Sequence, residues 1–319
     1  MTRRRALTPI LVAVAGLVGV PAAAQAQAPP APAPAAGPSL HIVTERVGGK
    51  RATILQGTRF RVRVIVKPFV AGQQVTVTMH RRGRTIVTKN LTVRRGATAG
   101  QVLTGYAPHT SGQIEVRAVS GAVAAKAATI QVLPRVVKAG SKGRAVRALQ
   151  DRLKAFGYVI GQRGVMDDRT ERAVLAFRKV TGMARTTAAD ESFFRAMAAG
   201  KGAFKVRFPR HGRHVEGDIG HQVLALIGAG GKPERIYPMS SGTGGTPTIL
   251  GSFRVYLKDP GTNAKGMVAS SYFIRGYAIH GYASVPTYNA SHGCIRVPIP
   301  DAYPIFNWVR MGTIVDTYQ

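Results

Sequence analysis

Cysteine is almost absent from this chain of 319 residues; there is one, Cys294. A single cysteine excludes an internal disulfide framework and the paired-Cys spacing of zinc fingers. Acidic residues are scarce too, 14 Asp and Glu against 45 Lys and Arg, for a formal net charge of +31. The excess runs through every part of the chain, and no segment is acidic. Such a surface attracts anionic partners. The basic residues accompany no helix-turn-helix and no aromatic stacking motif, so no nucleic acid is expected among those partners. The glycine-rich Ser241–Thr248 lacks a Gly-Lys-Ser/Thr, which excludes a nucleotide loop. His211, His214 and His221 form no helical i, i+4 pair, and no metal is expected there.

Long apolar runs are missing apart from Ile10 to Val20. Preceded by Arg3-Arg4-Arg5 and followed by Ala24-Gln25-Ala26, that run makes residues 1–26 a secretory signal peptide rather than a full membrane span. Export to the cell wall, the periplasm or the outside is the expected location, with a membrane tether where the signal is retained. Residues 27–38 are Ala/Pro-rich and read as a semi-rigid linker. The length beyond them suits two or three domains.

From 39 to 134, short β-branched runs alternate with period two, as in Phe60–Val66, Gln74–Met79 and Gln113–Ala118, with turns at Gly72, Gly83 and Gly112. The pattern predicts an all-β, antiparallel, immunoglobulin-like sandwich whose alternate arginines face solvent. From 137 to 199 the period becomes helical: Val146, Leu149, Leu153 and Phe156 share a face, Asp167 to Thr170 offers an N-cap to a second helix, and Asp190 to Ala199 forms a third. From 204 to 319 strands return, with a hairpin of His221–Ile227 and Arg235–Ser240, then Gly251–Tyr256, one strand over Ser271–His280, one helix over Pro300–Arg310, and a last strand over Thr313–Tyr318. The helical stretch resembles the peptidoglycan-binding type 1 family through Gly-Ser-Lys-Gly, Val-x-x-Leu-Gln, Phe-Gly-Tyr, Gly-x-x-Asp-x-x-Thr and Ala-Val-x-x-Phe. The resemblance implies a small three-helix bundle and a wall ligand.

The chemistry concentrates in Ile279-His280-Gly281 and Ser291-His292-Gly293-Cys294-Ile295-Arg296. An ordinary thiol is only a few per cent thiolate at neutral pH, so a cysteine nucleophile needs a base or a positive field beside it. His292 and His280 are both candidates. His280, at the end of a strand, is the favoured base, because glycine at 293 suits a bend whose amides converge on an oxyanion. No carboxylate lies between Asp259 and Asp301, so the acceptor for the second ring nitrogen is expected to be a backbone carbonyl such as that of Gly281. A buried, idle cysteine and a zinc ligand are the competing readings.

Together with Tyr237-Pro-Met-Ser-Ser-Gly242 and Thr246-Pro-Thr-x-x-Gly-x-Phe253, these motifs resemble the L,D-transpeptidase catalytic domain, the YkuD-like family. The resemblance implies a mostly-β domain and acyl transfer without cofactor. Cys294 is then the nucleophile, His280 the general base and His292 a supporting residue, with the Gly293 and Cys294 amides as oxyanion donors. Arg296 and Ser291 belong to the substrate side, as do Tyr282 and Tyr288 on the cleft. The implied partners are peptidoglycan glycan strands and tetrapeptide stems joined into 3→3 cross-links, and carbapenems as acylating agents of a monomer. An L,D-carboxypeptidase or a non-catalytic wall-binding protein are the alternatives. Ten residues, 281–290, separate Ile279-His280 from Ser291, fewer than is common in the family, which predicts a compact loop beside the cleft.

Overall fold

A computed structural model describes residues 37–48 and 52–319. The signal-peptide reading and nearly all of the linker reading lie outside the described residues. The first strands are Ser39–Glu45 (β1), Thr53–Leu55 (β2), Phe60–Lys67 (β3), Gln74–Arg81 (β4), Arg84–Thr92 (β5), Arg94–Arg95 (β6), Gly100–Tyr106 (β7), Gly112–Ser120 (β8), Val123–Ala124 (β9) and Ala128–Leu133 (β10). They form two sheets, β1-β3-β7-β6 and β2-β10-β8-β4-β5 with β9 beside β8. The alternation does what period two dictates: Phe60, Val62, Val64 and Val66 point into the core against Val75, Val77, Ile114 and Val116 of the other sheet. The pairing is antiparallel as expected except where β10 runs parallel to β2.

Three helices follow, Arg144–Ala155 (α1), Asp168–Val180 (α2) and Glu191–Ala198 (α3). Asp167 and Asp190 cap the last two through their carboxylates, each 2.9 Å from a first-turn amide. These helices do not close a bundle of their own. Leu149, Leu153, Val174, Phe177 and Phe193 share one core with Leu55 and Leu133 of the sandwich and with Val223, Ala225, Ile227 and Ile236 beyond the helices. The reason is size: helices of 12, 13 and 8 residues bury too little apolar surface by themselves.

The remainder carries His214–Asp218 (β11), Val223–Ile227 (β12), Pro233–Pro238 (β13), Gly251–Arg254 (β14), Leu257–Thr262 (β15), Val268–Ile274 (β16), Tyr277–Tyr282 (β17), Ile295–Pro298 (β18), Ile299–Trp308 (α4) and Ile314–Tyr318 (β19). The β12–β13 hairpin, the late helix and the last strand match expectation. The single strand expected over Ser271–His280 is instead two, β16 and β17, reversed at Arg275-Gly276, where Arg275 adopts φ +50°. The Arg275-Gly276 pair is the same turn signal as Arg82-Gly83, where Arg82 has φ +51°, but it lies inside a run whose β-rich flanks read as continuous. The sheets β13-β12-β11-β19-β14 and β15-β16-β17-β18 enclose a second core around Leu224, Phe273, Ile279 and Ile295. One face of β12 thus packs on that core while Val223, Ala225 and Ile227 receive the helices.

Polar ties lock the helices to this domain. Lys179 of α2 is buried and donates to the carbonyls of Gln222 (3.1 Å) and Met239 (2.9 Å). Arg169 and Arg172 hold the buried Asp301 of α4 at 3.0 and 2.9 Å. Within the domain, buried Glu216 accepts from the amides of Arg207 and Phe208, from the Tyr318 hydroxyl and from His214. Burial works against its charge, but these donors win and hold its carboxyl below the ordinary value. That stabilisation is complete above the unfolded pKa and is lost as pH falls through the depressed folded value. Glu216→Gln should therefore cost about 2 kcal/mol at neutral pH, in denaturant melts, with the gap to wild type closing in acid; a gap independent of pH contradicts this account.

Candidate active site

The site forms where β17 and β18 run parallel, with Ile279 opposite Ile295 and His280 opposite Arg296. Continued back one step, the same register sets Cys294 beside Ala278. The motif Tyr237–Gly242 supports this segment from the other sheet. Ser240 and Arg296 exchange both backbone hydrogen bonds, at 3.0 and 2.8 Å, and the Ser241 carbonyl accepts the amides of Ala290 and Ser291 at 2.9 Å each. Thr248 Oγ1 donates to the Gly293 carbonyl at 2.8 Å and accepts the Gly242 amide at 3.0 Å. The four motifs that lie apart in sequence are therefore one scaffold.

The bend at the cysteine is held from inside. Ser291 Oγ donates to the Cys294 carbonyl at 2.6 Å and accepts the Gly293 amide at 3.1 Å. Gly293 sits at φ +107°, and a Cβ there would lie 2.2 Å from the Tyr277 ring, so only glycine fits. The Gly293 amide is thus spent on the turn, while the Cys294 amide makes no hydrogen bond among the described residues. Glycine at 281 serves packing, since a Cβ there would meet Ala302 of α4 at 2.6 Å.

His280 is buried, and its Nδ1 lies 2.8 Å from the Gly281 carbonyl. That bond requires a proton on Nδ1 and leaves Nε2 as the acceptor. Burial pulls the imidazole down to about 4, against the Gly281 bond and with help from Arg296. Burial likewise pushes the Cys294 thiol up, while a backbone hydrogen bond from Ala278 and the charges of Arg296 and Lys265 pull it back only in part. At neutral pH the resting pair is a thiol and a neutral imidazole, not the thiolate–imidazolium pair.

A cavity of roughly 460 Å³ collects His280, Tyr282, Ser291, His292, Cys294 and Arg296. His292 is exposed at its mouth. Arg296 donates to the Ala290 carbonyl at 3.1 Å and lies 4.2 Å over the Tyr282 ring, which in turn meets His280 edge-on at 5.7 Å. Tyr288 is not in the cavity: it is 63 % exposed, and its carbonyl accepts from Ser240 Oγ. Sequence reasoning missed Lys265, Met267, Gly276 and Tyr277, which complete the lining. The β16–β17 hairpin brings them in, and reading it as one strand hid them. The short loop 281–290 is braced by Arg185, after α2, whose guanidinium donates to the carbonyls of Thr287 and Gly220 at 2.9 Å. Asn289 adds a bond to Ser241 Oγ at 2.9 Å. Of the other histidines of this domain, His211 lies 3.0 Å from Asp316 and His221 2.9 Å from Asp218.

Against this geometry stand the likenesses to known proteins. Residues 212–316 match the L,D-transpeptidase catalytic domain, and residues 142–197 match a peptidoglycan binding domain. The crystal structure of an L,D-transpeptidase from Xylanimonas cellulosilytica is 33% identical with a TM-score of 0.52, covering 58% of this chain and 98% of its own. This chain belongs to the L,D-transpeptidase family. More distant likenesses are an L,D-transpeptidase from Stackebrandtia nassauensis (19% identity, 58% of this chain and 96% of its own, TM-score 0.37) and one from Mycobacterium tuberculosis (13%, 88% and 98%, TM-score 0.30). No curated protein matches the chain. The His280 and Ser291–Arg296 motifs line the cavity, and the peptidoglycan binding match falls on the three helices that share a core with β12 and β13 of the same domain.

The charge states make a measurable difference. Alkylation of Cys294 by iodoacetamide should be slow at pH 7 and rise nearly tenfold per pH unit toward pH 9, because the thiol is pushed above its ordinary value. A rate already maximal at pH 7 would mean a preformed ion pair. Gly293→Ala should abolish this selective labelling by forcing the bend off Tyr277.

Proposed function

We propose that the enzyme joins peptidoglycan stems by cysteine acyl transfer, forming 3→3 cross-links. The observation that carries the reading is His280, buried in the cavity of Cys294 with Nδ1 fixed on the Gly281 carbonyl and Nε2 left to accept a proton. Cys294 Sγ attacks the carbonyl of the third residue, a diamino acid, of a tetrapeptide stem as His280 Nε2 takes the thiol proton. The Cys294 amide donates to the oxyanion. The C–N bond to the terminal D-alanine breaks, its amine leaves with the proton from His280, and a thioester remains. The side-chain amine of a second stem then attacks the thioester; His280 takes the amine's proton and returns it to the sulfur, so the thiol is restored and a new amide stands in place of the old.

Arg296 and Lys265 border the cavity with positive charge, which suits the carboxylates of a stem peptide. The helices that match a peptidoglycan binding domain share a core with β12 and β13 and hold loop 281–290 through Arg185. A polymer held on them stays at high local concentration beside the cleft. The setting is the exported wall or periplasm, with the chain acting as a monomer.

Incubation with purified disaccharide-tetrapeptide, followed by mass analysis, tests the reading. The expected product is a cross-linked dimer with release of D-alanine. Tripeptide alone would make the enzyme an L,D-carboxypeptidase with water as acceptor, and unchanged substrate with an accessible thiol would leave a wall-binding protein. Cys294→Ala should eliminate product, and His280→Ala should lower the rate by about 10²–10⁴. A carbapenem, whose strained ring amide is an acyl donor, should add its mass to the wild type and not to Cys294→Ala.

A further inference from the structure

A second cavity, of about 390 Å³, opens where the sandwich meets α1, remote in sequence from the cysteine segment. Its lining brings Arg81, Arg82, Arg144, Arg147 and Arg163 together. Two carboxylates share the lining and both are committed: Asp151 is held by Arg163 at 2.7 Å and Glu115 by Arg117 at 2.9 Å. Among the described residues, no carboxylate lies within ion-pair distance of Arg81, Arg82, Arg144 or Arg147. Arg81 donates through Nη2 to the Thr110 carbonyl at 2.9 Å, but its Nε is closed off from solvent without a hydrogen-bond partner. The Thr110 carbonyl is thus the one protein acceptor on the Arg81 guanidinium among the described residues, and no carboxylate competes for it. Burial, with Arg144 adding to it, presses the Arg81 guanidinium below its ordinary value. Four like charges converge here without the anion that would offset them.

We propose that this cavity binds the phosphodiester groups of an anionic polyol-phosphate polymer. Guanidinium forks match phosphate oxygens in pairs, and four of them exceed what one carboxylate accepts. Arg82, Arg144 and Arg147 are exposed at the rim, so a chain longer than one repeat has further cations to follow. The surface around it is basic, with just two acidic residues, Glu45 and Glu115, between 37 and 134. The site uses both the sandwich and α1, which gives the N-terminal sandwich a binding role. It is independent of the acyl-transfer reading, and Cys294→Ala should bind the polymer as the wild type does.

The test is fluorescence anisotropy of a labelled poly(glycerol phosphate) oligomer with the full chain at physiological salt. Arg144→Ala/Arg147→Ala should weaken binding by about tenfold or more, the loss expected for charge-assisted hydrogen bonds, with the thermal midpoint unchanged. Lys89→Ala/Lys126→Ala removes the same charge from exposed positions outside the cavity and should cost less than about twofold by the same reasoning. Equal losses in the two pairs would overturn the site in favour of diffuse attraction. Arg82→Asn, at a turn residue whose φ of +51° asparagine tolerates, gives a second reading should the α1 pair fail to fold, and no loss in it would also count against the site. Inorganic phosphate competing as well as the oligomer would overturn the polymer assignment, as would phosphatidylglycerol vesicles binding more tightly than the oligomer with the same dependence on Arg144 and Arg147.

Discussion

The parallel pairing of β17 with β18 is the constraint on which the site depends. Parallel neighbours need a crossover, and here the crossover is the loop 283–294 that carries Ser291, His292, Gly293 and Cys294. Because the pairing sets His280 opposite Arg296, Cys294 leaves the loop one residue before the strand, beside Ala278 and on the face of the strand pair that carries His280. A slip by one residue would turn every side chain of β18 to the other face. The register is held against that slip by the paired bonds between Ser240 and Arg296 and by burial of Ile295 and Val297 on the inner face.

Much of this was legible because local chemistry announced it. The His-Gly and Ser-His-Gly-Cys pieces lie within one strand-loop-strand unit, so their order in sequence is close to their order in space. The helix caps at Asp167 and Asp190 and the alternation of Phe60 to Val66 were legible for the same reason. What escaped was long-range. Tyr277 and Lys265 reach the cavity through the β16–β17 hairpin, whose Arg275-Gly276 turn is flanked on both sides by β-rich residues that read as one strand. Tyr288 had the right sequence neighbourhood and the wrong direction, because Ser240 holds its carbonyl inward and leaves its ring outside.

The helices show a second limit of local reading. Their spacing predicts an apolar face, but a face does not say what it packs against. Phe177 and Leu153 share their core with Ile236 and Ala225, and Lys179 reaches past that core to the carbonyl of Met239. Met239 precedes Ser240, which is bonded to Arg296. The helices and the cleft are thus joined by two residues of backbone, so a polymer bound on the helices bears on the frame of the site through contacts that are already made.

Burial gives the site its chemical character. An exposed thiol near two arginine-bordered strands would ionise readily and react with whatever oxidant or electrophile it met. At Cys294 desolvation outweighs Arg296 and Lys265, and at His280 it outweighs the Gly281 bond, so each group is kept neutral by the same cause. Two neutral partners attract each other little at rest. In the acyl transfer proposed above they would become an ion pair only as the thiol proton moved to Nε2, and in that state Arg296 and Lys265 would favour the sulfur anion while the Cys294 amide would meet the oxyanion formed next. On that proposal the fixed dipoles would favour the charge that develops during attack more than anything present before it, which is where stabilisation accelerates a reaction.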